Sequence, residues 1–144
     1  MGLRPQGVAN HTLLAAFLVS QEYPLKHSAI LDSGTTIYVF NDLSRFYDVH
    51  RAPRDHYIVA GDSWIPILAY GSVDITVKGL KGPQVFRLKD VAFCIDFQCN
   101  LVLFDKLRQR GYYWDTRKDL LLRKDDLVVC KLDVTDGQRV LEYN

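Results

Sequence analysis

Asp32, Ser33 and Gly34 are the residues whose types and spacing in this sequence best suit bond-breaking chemistry. They follow an apolar run, Ala29-Ile30-Leu31, which is typical of a buried strand that fixes where the Asp32 carboxylate emerges. The Ser33 hydroxyl can bond the backbone across a turn, and Gly34 leaves its N–H open to the carboxylate while tolerating unusual backbone angles. A carboxylate held in this way can act as a general base towards water.

The triplet occurs once in a chain of 144 residues, which is long enough for one domain with a core but too short for two lobes. Asp-Ser/Thr-Gly is the catalytic turn of aspartic proteases, in which two carboxylates share one proton because like charges about 3 Å apart cannot both ionise. One carboxylate activates water and the other hydrogen-bonds the scissile carbonyl. A single Asp32 per chain therefore predicts a homodimer. The same residues also dominate ordinary polar turns, so the triplet alone leaves that alternative open.

Composition and charge are typical of a soluble globular domain. The net charge is +1 with Lys and Arg spread along the sequence, so we do not expect nucleic acid as a main partner. Residues 13–19 are apolar but too short to span a bilayer and lack a clear cleavage site, so we expect no membrane partner. Three cysteines, an odd count, suggest a reducing, cytoplasmic location.

The cysteines and histidines show no metal-ligand spacing. We therefore expect Cys94 and Cys99 to be buried free thiols, with no metal and no cofactor. A Cys/His nucleophile pair is not excluded by the sequence, but nothing orients such a pair. The charged stretches 48–51 and 54–56 are interpreted as solvated loops.

Short apolar segments predict many strands around the Asp32 turn. The clearest is Ser72 to Lys78, where Val73, Ile75 and Val77 alternate with polar residues and should share one buried face. Further strands are predicted at 37–40, 57–60, 86–94, 101–103, 112–114, 120–122 and 127–130. A helix is expected from Phe104 to Arg110, with Gly111 as its stop. Many short strands with one short helix predict a mainly β fold, a compact β-barrel.

Four ordered blocks of the sequence resemble the retropepsin-like protease region of copia-type retrotransposon Gag–Pol polyproteins. The blocks are Ile30-Leu31-Asp32-Ser33-Gly34-Thr35-Thr36, Ile65-Pro66-Ile67-Leu68-Ala69-Tyr70-Gly71-Ser72-Val73, Leu88-Lys89-Asp90-Val91-Ala92-Phe93-Cys94, and Asn100-Leu101-Val102-Leu103-Phe104-Asp105-Lys106-Leu107 followed by Gly111-Tyr112. The resemblance covers about Lys26 to Lys131. We accordingly divide the chain into an N-terminal extension of uncertain structure (1–24), a retropepsin-like β-barrel domain (25–132) and a C-terminal tail (133–144).

This resemblance implies a closed β-barrel with one short α-helix, a homodimeric aspartic endopeptidase, and a Gag–Pol polyprotein as the polypeptide substrate. Within an intact element the protease would act in a cytoplasmic virus-like particle. Asp32 becomes the catalytic residue, with Ser33, Gly34 and Thr35 in the supporting turn. The region 62–71 becomes a flap over the bound peptide, hinged by glycines. The residues assigned to the flap are Gly61, Ile67, Tyr70 and Gly71.

Departures from the family pattern leave an alternative open. Leu103 stands where relatives carry a small residue beneath the catalytic turn, and Ala69-Tyr70-Gly71 keeps only the second glycine of a Gly-x-Gly flap. The sequence has no zinc-knuckle spacing, so we expect a fragment, a remnant or a host gene derived from such an element. The alternative is a catalytically inactive β-barrel that dimerises or binds peptide, and a weaker third hypothesis is a nucleic-acid-binding barrel.

Overall fold

The structure is a computed structural model that describes residues 24–32, 34, 36–60 and 62–142. Residues 1–23 of the predicted extension therefore lie outside the described residues. Ser33, Thr35 and Gly61 also lie outside them. The described chain is mainly β with one short α-helix, as predicted. None of its helices is long and apolar enough to cross a membrane.

The elements follow closely the apolar segments of the sequence. The strands are β1 Ala29–Asp32, β2 Val39–Phe40, β3 Phe46–Arg51, β4 Tyr57–Ala60, β5 Ser63–Pro66, β6 Ala69–Gly79, β7 Gly82–Phe93, β8 Asn100–Leu103, β9 Tyr112–Asp115, β10 Leu120–Arg123, β11 Val128–Lys131, β12 Asp133–Thr135 and β13 Gln138–Val140. The α-helix is α1 Phe104–Gln109, and a 3₁₀ turn at Leu43–Arg45 is capped by the Asp42 side chain. The helix ends before Gly111, whose φ is +93°, as the sequence predicts.

Eight strands form one sheet in the order β12-β13-β1-β8-β2-β7-β6-β3, accompanied by a three-stranded sheet β11-β10-β9 and the hairpin β4-β5. Among the described residues the large sheet is open, because its edge strands β12 and β3 do not pair with each other. The mainly β prediction is confirmed, whereas a closed barrel is not confirmed.

The long hairpin of β6 and β7 carries the predicted alternation. Val73, Ile75 and Val77 are fully buried, and Phe86 and Leu88 are buried on the returning strand. Exposed charged residues lie between them. The alternation of apolar and polar residues in the sequence thus gives the hairpin one side that faces the core and one side that faces solvent.

The central strands β1, β8 and β2 separate two apolar cores. Alternate residues of these strands belong to different cores, as expected when successive side chains point to opposite faces. The first core joins the central strands to hairpin β4–β5 and includes Ile30, Val39, Ile58, Ile65, Cys99 and Leu101. The second core joins them to α1, β6, β7, β10 and β11 and includes Leu31, Phe40, Ile75, Val102, Leu107 and Leu121.

Residues 133–142, assigned to a tail by the sequence, are integrated with the large sheet. β13 pairs antiparallel with β1, so that Ile30 lies opposite Val140. Leu141 is buried, and the Glu142 carboxylate accepts two hydrogen bonds from the Arg45 guanidinium. The fold therefore does not break at residue 132, because this segment covers the free edge of the strand that bears Asp32.

The two segments interpreted as solvated loops differ from that prediction. Residues 46–51 form the exposed edge strand β3, and His56 is buried. The Nδ1 atom of His56 lies 2.7 Å from the Tyr70 hydroxyl oxygen. A buried hydrogen-bond partner, which the local sequence does not reveal, explains why this histidine is inside.

Candidate functional site

Asp32 ends the buried strand β1, where the sequence predicts it. β1 runs parallel to β8, with Asp32 opposite Leu103, and β8 continues directly into α1. β8 also pairs antiparallel with β2, the strand that follows the Asp32 turn. The segment on either side of the turn is therefore held by one shared strand, which fixes the position of the carboxylate.

The two oxygens of the Asp32 carboxylate have different surroundings. The Gly34 N–H donates to Oδ1 at 2.7 Å, which is the contact that the small glycine makes possible. Oδ2 is buried and has no hydrogen-bond partner among the described residues. Buried polar atoms are nearly always paired in folded proteins. Oδ2 is therefore an exception, a buried carboxylate oxygen without a partner among the described residues.

Cys99 lies near Asp32 within the first core. Burial, and to a smaller extent the Asp32 charge, raises the pKa of the Cys99 thiol to about 12. Burial also raises the pKa of Cys130 to about 12 and raises that of Cys94. All three thiols are free and buried, which confirms the prediction for Cys94 and Cys99. Because the thiolate is the reactive form, these side chains are poorly suited to act as nucleophiles at neutral pH.

The region predicted as the flap contains β5, which pairs with the preceding strand in the hairpin β4–β5. Its inner face belongs to the first core, where Ile58, Ala60 and Ile65 are buried. On its outer face Trp64 is 64% exposed and stacks on Tyr57 with ring centroids 4.2 Å apart. The hairpin thus has an apolar side packed on the core and an aromatic pair facing solvent.

Three residues assigned to the flap lie after this hairpin. Ile67 is buried in the first core, and Tyr70 and Gly71 lie in β6 between β3 and β7. A Cβ at Gly71 would come within 2.9 Å of the Tyr47 carbonyl oxygen. Close backbone approach explains why this position is a glycine. No group of His, Cys, Asp and Glu suited to a metal ion occurs among the described residues.

Asn41 and Asn100 form a buried network that the sequence does not predict, at the end of β1 opposite to Asp32, because Asn100 pairs with Ala29. Asn100 Oδ1 accepts from the Asn41 N–H at 2.8 Å. Asn41 Nδ2 donates to the carbonyl oxygens of Lys26 and Phe97 at 2.8 and 3.0 Å. The network ties the segments before β1 and before β8 to the end of β2. Its one signal in the sequence is Asn100, the first residue of the fourth block.

Comparison with known protein families identifies the family to which the chain belongs. A family model described as the Pol polyprotein, beta-barrel domain matches residues 29–112, which is more than half of the chain. The protein therefore belongs to this family of Pol polyprotein domains. No curated protein and no solved structure matches the chain. The matched range runs from β1 to the start of β9 and includes Asp32, hairpin β4–β5, β8 and α1.

Proposed function

We propose that this Pol polyprotein domain is a homodimeric aspartic endopeptidase of the copia retropepsin type that cleaves a Gag–Pol polyprotein. The observation that carries the proposal is the Asp32 carboxylate itself. One oxygen is held by the Gly34 N–H, and the other is buried without a hydrogen-bond partner among the described residues. A second carboxyl group that shares a proton with Asp32 would satisfy that oxygen.

The mechanism follows from the chemistry of paired carboxylates. Asp32 of each subunit contributes one carboxyl group, and electrostatic repulsion keeps one proton between the two. The ionised carboxylate removes a proton from water, which attacks the scissile carbonyl carbon, and the protonated one donates to the carbonyl oxygen. Collapse of the tetrahedral intermediate then breaks the C–N bond as the nitrogen receives a proton. Ser33, Gly34 and Thr35 complete the supporting turn in this proposal.

The first test compares the wild-type chain with Asp32→Asn. Asn has nearly the same shape and can still accept from the Gly34 N–H, so dimerisation should be largely retained while cleavage is lost. Junction peptides of a related Gag–Pol polyprotein serve as substrates, between about pH 4 and 7, where the shared proton predicts a bell-shaped rate profile. Asp136→Asn is the matched control, because this exposed residue has a φ of +50°, which Asn tolerates. It should leave cleavage unchanged.

A mixing experiment tests whether one active site uses two chains. Wild-type protein is equilibrated with increasing amounts of Asp32→Asn at constant total concentration. If both subunits supply a carboxylate, the rate falls with the square of the wild-type fraction, because mixed dimers are inactive. A linear fall would contradict the shared site. Sedimentation equilibrium on the same samples measures the dimer directly.

A specific observation favours the second candidate function, a barrel that dimerises or binds peptide without cleaving it. The inner face of hairpin β4–β5 is packed into the first core, whereas a flap must leave room for substrate. Leu103 opposite Asp32 also adds bulk where the resemblance implies a small residue. Folded dimers that bind the junction peptides without cleaving them at any pH would support this second function and overturn the first.

A further inference from the structure

Two adjoining clefts on the second-core side of the molecule collect positive charge. The first, of about 480 Å³, lies between α1 and β7, and the second, of about 300 Å³, lies where β9 meets β10. Arg110 lines both clefts. We call their six cationic residues the basic track: Arg87, Lys89, Lys106, Arg110, Arg123 and Lys124.

Most of the charge on the basic track is not neutralised locally. Within the described chain, the cations of Lys89, Lys106, Arg110 and Lys124 have no carboxylate within salt-bridge distance. Arg87 and Arg123 each have one exposed partner, Asp74 at 3.3 Å and Asp125 at 3.5 Å respectively. The clefts themselves are lined by six cations and two carboxylates, Asp90 and Asp125. A protein of net charge +1 thus concentrates positive charge on one face.

Aromatic rings and backbone atoms hold the central cations in place. Lys106 Nζ lies 4.9 Å from the centroid of the Tyr38 ring. The Arg110 guanidinium lies 5.9 Å from the Phe86 ring and 5.8 Å from the Tyr112 ring, and it donates to the Arg87 carbonyl oxygen at 3.3 Å. Side chains that are already positioned lose less conformational entropy when a ligand binds.

We propose that the basic track binds the phosphate backbone of a single-stranded nucleic acid. Six cations spread over two joined clefts suit a row of phosphates better than one small anion. Tyr112, which packs against the second core, lines the second cleft beside Arg110, and an aromatic residue beside a cationic groove is the usual arrangement for single strands. Because both clefts share Arg110, one extended strand can follow them in succession.

The basic track is separate from the Asp32 site. Tyr38 and Tyr112 contact the second core, whereas Asp32 lies beside Cys99 of the first core. Binding of a single strand is consequently independent of the proposed protease activity. Loss of one function by substitution should leave the other intact, which makes the two proposals separately testable.

The experiment measures fluorescence anisotropy of a short fluorescein-labelled oligo-dT titrated with the intact chain. The track variant is Lys89→Gln, Lys106→Gln and Arg110→Gln together. The control variant is Lys81→Gln, Lys118→Gln and Lys131→Gln, which removes the same charge from exposed residues outside both clefts. Because Arg110 packs on two rings, the double variant Lys89→Gln and Lys106→Gln is measured as well and keeps those contacts.

The expected result is binding by the wild-type and control proteins, with at least about tenfold weaker binding by the track variant at about 50 mM salt. Each phosphate contact contributes a slope of about −0.7 in log K against log salt, so three lost contacts reduce the slope by about 2. The double variant should bind oligo-dT with an affinity between those of the wild type and the track variant. Equal weakening in the control variant, or no binding by the wild type, would overturn the proposal. Tighter, track-dependent binding of poly-glutamate than of oligo-dT would also overturn it and identify an acidic protein segment as the occupant.

Discussion

The two cores on either side of β1, β8 and β2 are held together in different ways. The second core is formed by apolar side chains of the hairpin β6–β7, α1 and the three-stranded sheet. The first core lies next to the buried polar side chains of the described chain, Asn41, His56 and Asn100, which bond to each other or to Tyr70 and the Phe97 backbone. Non-directional burial therefore stabilises one face, and directional hydrogen bonds fix the geometry of the other.

This difference coincides with the position of the candidate site. Asp32 is on the first-core side, where the hydrogen bonds of Asn41 fix the segments that lead into β1 and β8. Hydrogen-bonded networks with buried partners specify one arrangement, because any other arrangement leaves a polar group unpaired. An apolar core of the right volume tolerates repacking. We expect substitutions on the two faces to differ accordingly.

The largest expected effect is on thiol labelling. All three cysteines are buried and free, so a thiol reagent at about pH 8 should label the native chain at least about a thousandfold more slowly than the unfolded chain. The first core is covered by the two-stranded hairpin β4–β5, whereas α1 and a three-stranded sheet cover the second. In urea below the unfolding transition, Cys94 and Cys99 should therefore react before Cys130. Peptide mass analysis identifies the labelled site, and earlier labelling of Cys130 would reverse this order.

The second prediction compares one polar and one apolar substitution of similar volume. Asn41→Leu removes both side-chain donors from the carbonyl oxygens of Lys26 and Phe97, and we expect a loss of about 3 kcal/mol in the free energy of unfolding. Leu121→Met in the second core should cost less than about 1.5 kcal/mol. Urea unfolding followed by tryptophan fluorescence measures both. Equal losses would mean that the network contributes no more than packing does.

Local patterns in the sequence account for much of the fold. The alternation in β6, the strand that leads into Asp32 and the helix stop at Gly111 are all predictable because each depends on neighbours within a few residues. The carboxylate position also follows from the sequence, since a buried strand and a glycine fix it locally. Contacts between distant segments do not follow in this way.

Four features of the structure depend on such distant contacts. Asn41 and Asn100 are 59 residues apart, and β13 pairs with β1 although its own residues are only half-buried. His56 follows Arg54 and Asp55, and these charged neighbours predict an exposed loop. Its buried partner, Tyr70 in β6, is distant in sequence. The basic track is also a product of folding, because cations between residues 87 and 124 converge on one face while the total charge stays near zero.

The third prediction compares a buried with an exposed tyrosine hydroxyl. Tyr70→Phe leaves His56 Nδ1 without its partner at 2.7 Å in a buried position, which should lower the free energy of unfolding by about 1–2 kcal/mol. Tyr47→Phe removes the exposed bond to Asp74, where water replaces the lost partner, so the change should be much smaller. Thermal and urea unfolding of the two variants give the comparison. A larger effect at Tyr47 would show that the first core does not depend on the His56–Tyr70 bond.

The smallest effect belongs to the surface and has a distinct pH dependence. The hydrogen bond from Tyr47 and the neighbouring Arg87 guanidinium lower the pKa of Asp74 below its ordinary value. Because the pKa of Asp74 is lower in the folded state than in the unfolded state, the ionised carboxylate stabilises the fold at pH values above the unfolded-state pKa. This stabilisation is lost as the pH falls through the folded-state pKa. Asp74→Asn should therefore cost less than about 1 kcal/mol at neutral pH, because the pair is exposed and screened, and the variant should match the wild type once Asp74 is protonated in both states.

A second background separates the two contacts that stabilise the ionised Asp74. The substitution Asp74→Asn is repeated in the Tyr47→Phe variant, and urea unfolding is measured at neutral and at strongly acidic pH. Because the principal hydrogen bond is already absent there, Asp74→Asn should change the free energy of unfolding less than it does in the wild type. If Asp74→Asn changes the free energy of unfolding by the same amount in both backgrounds, the Arg87 guanidinium alone stabilises the ionised carboxylate. The Tyr47 hydroxyl would then contribute nothing measurable to it.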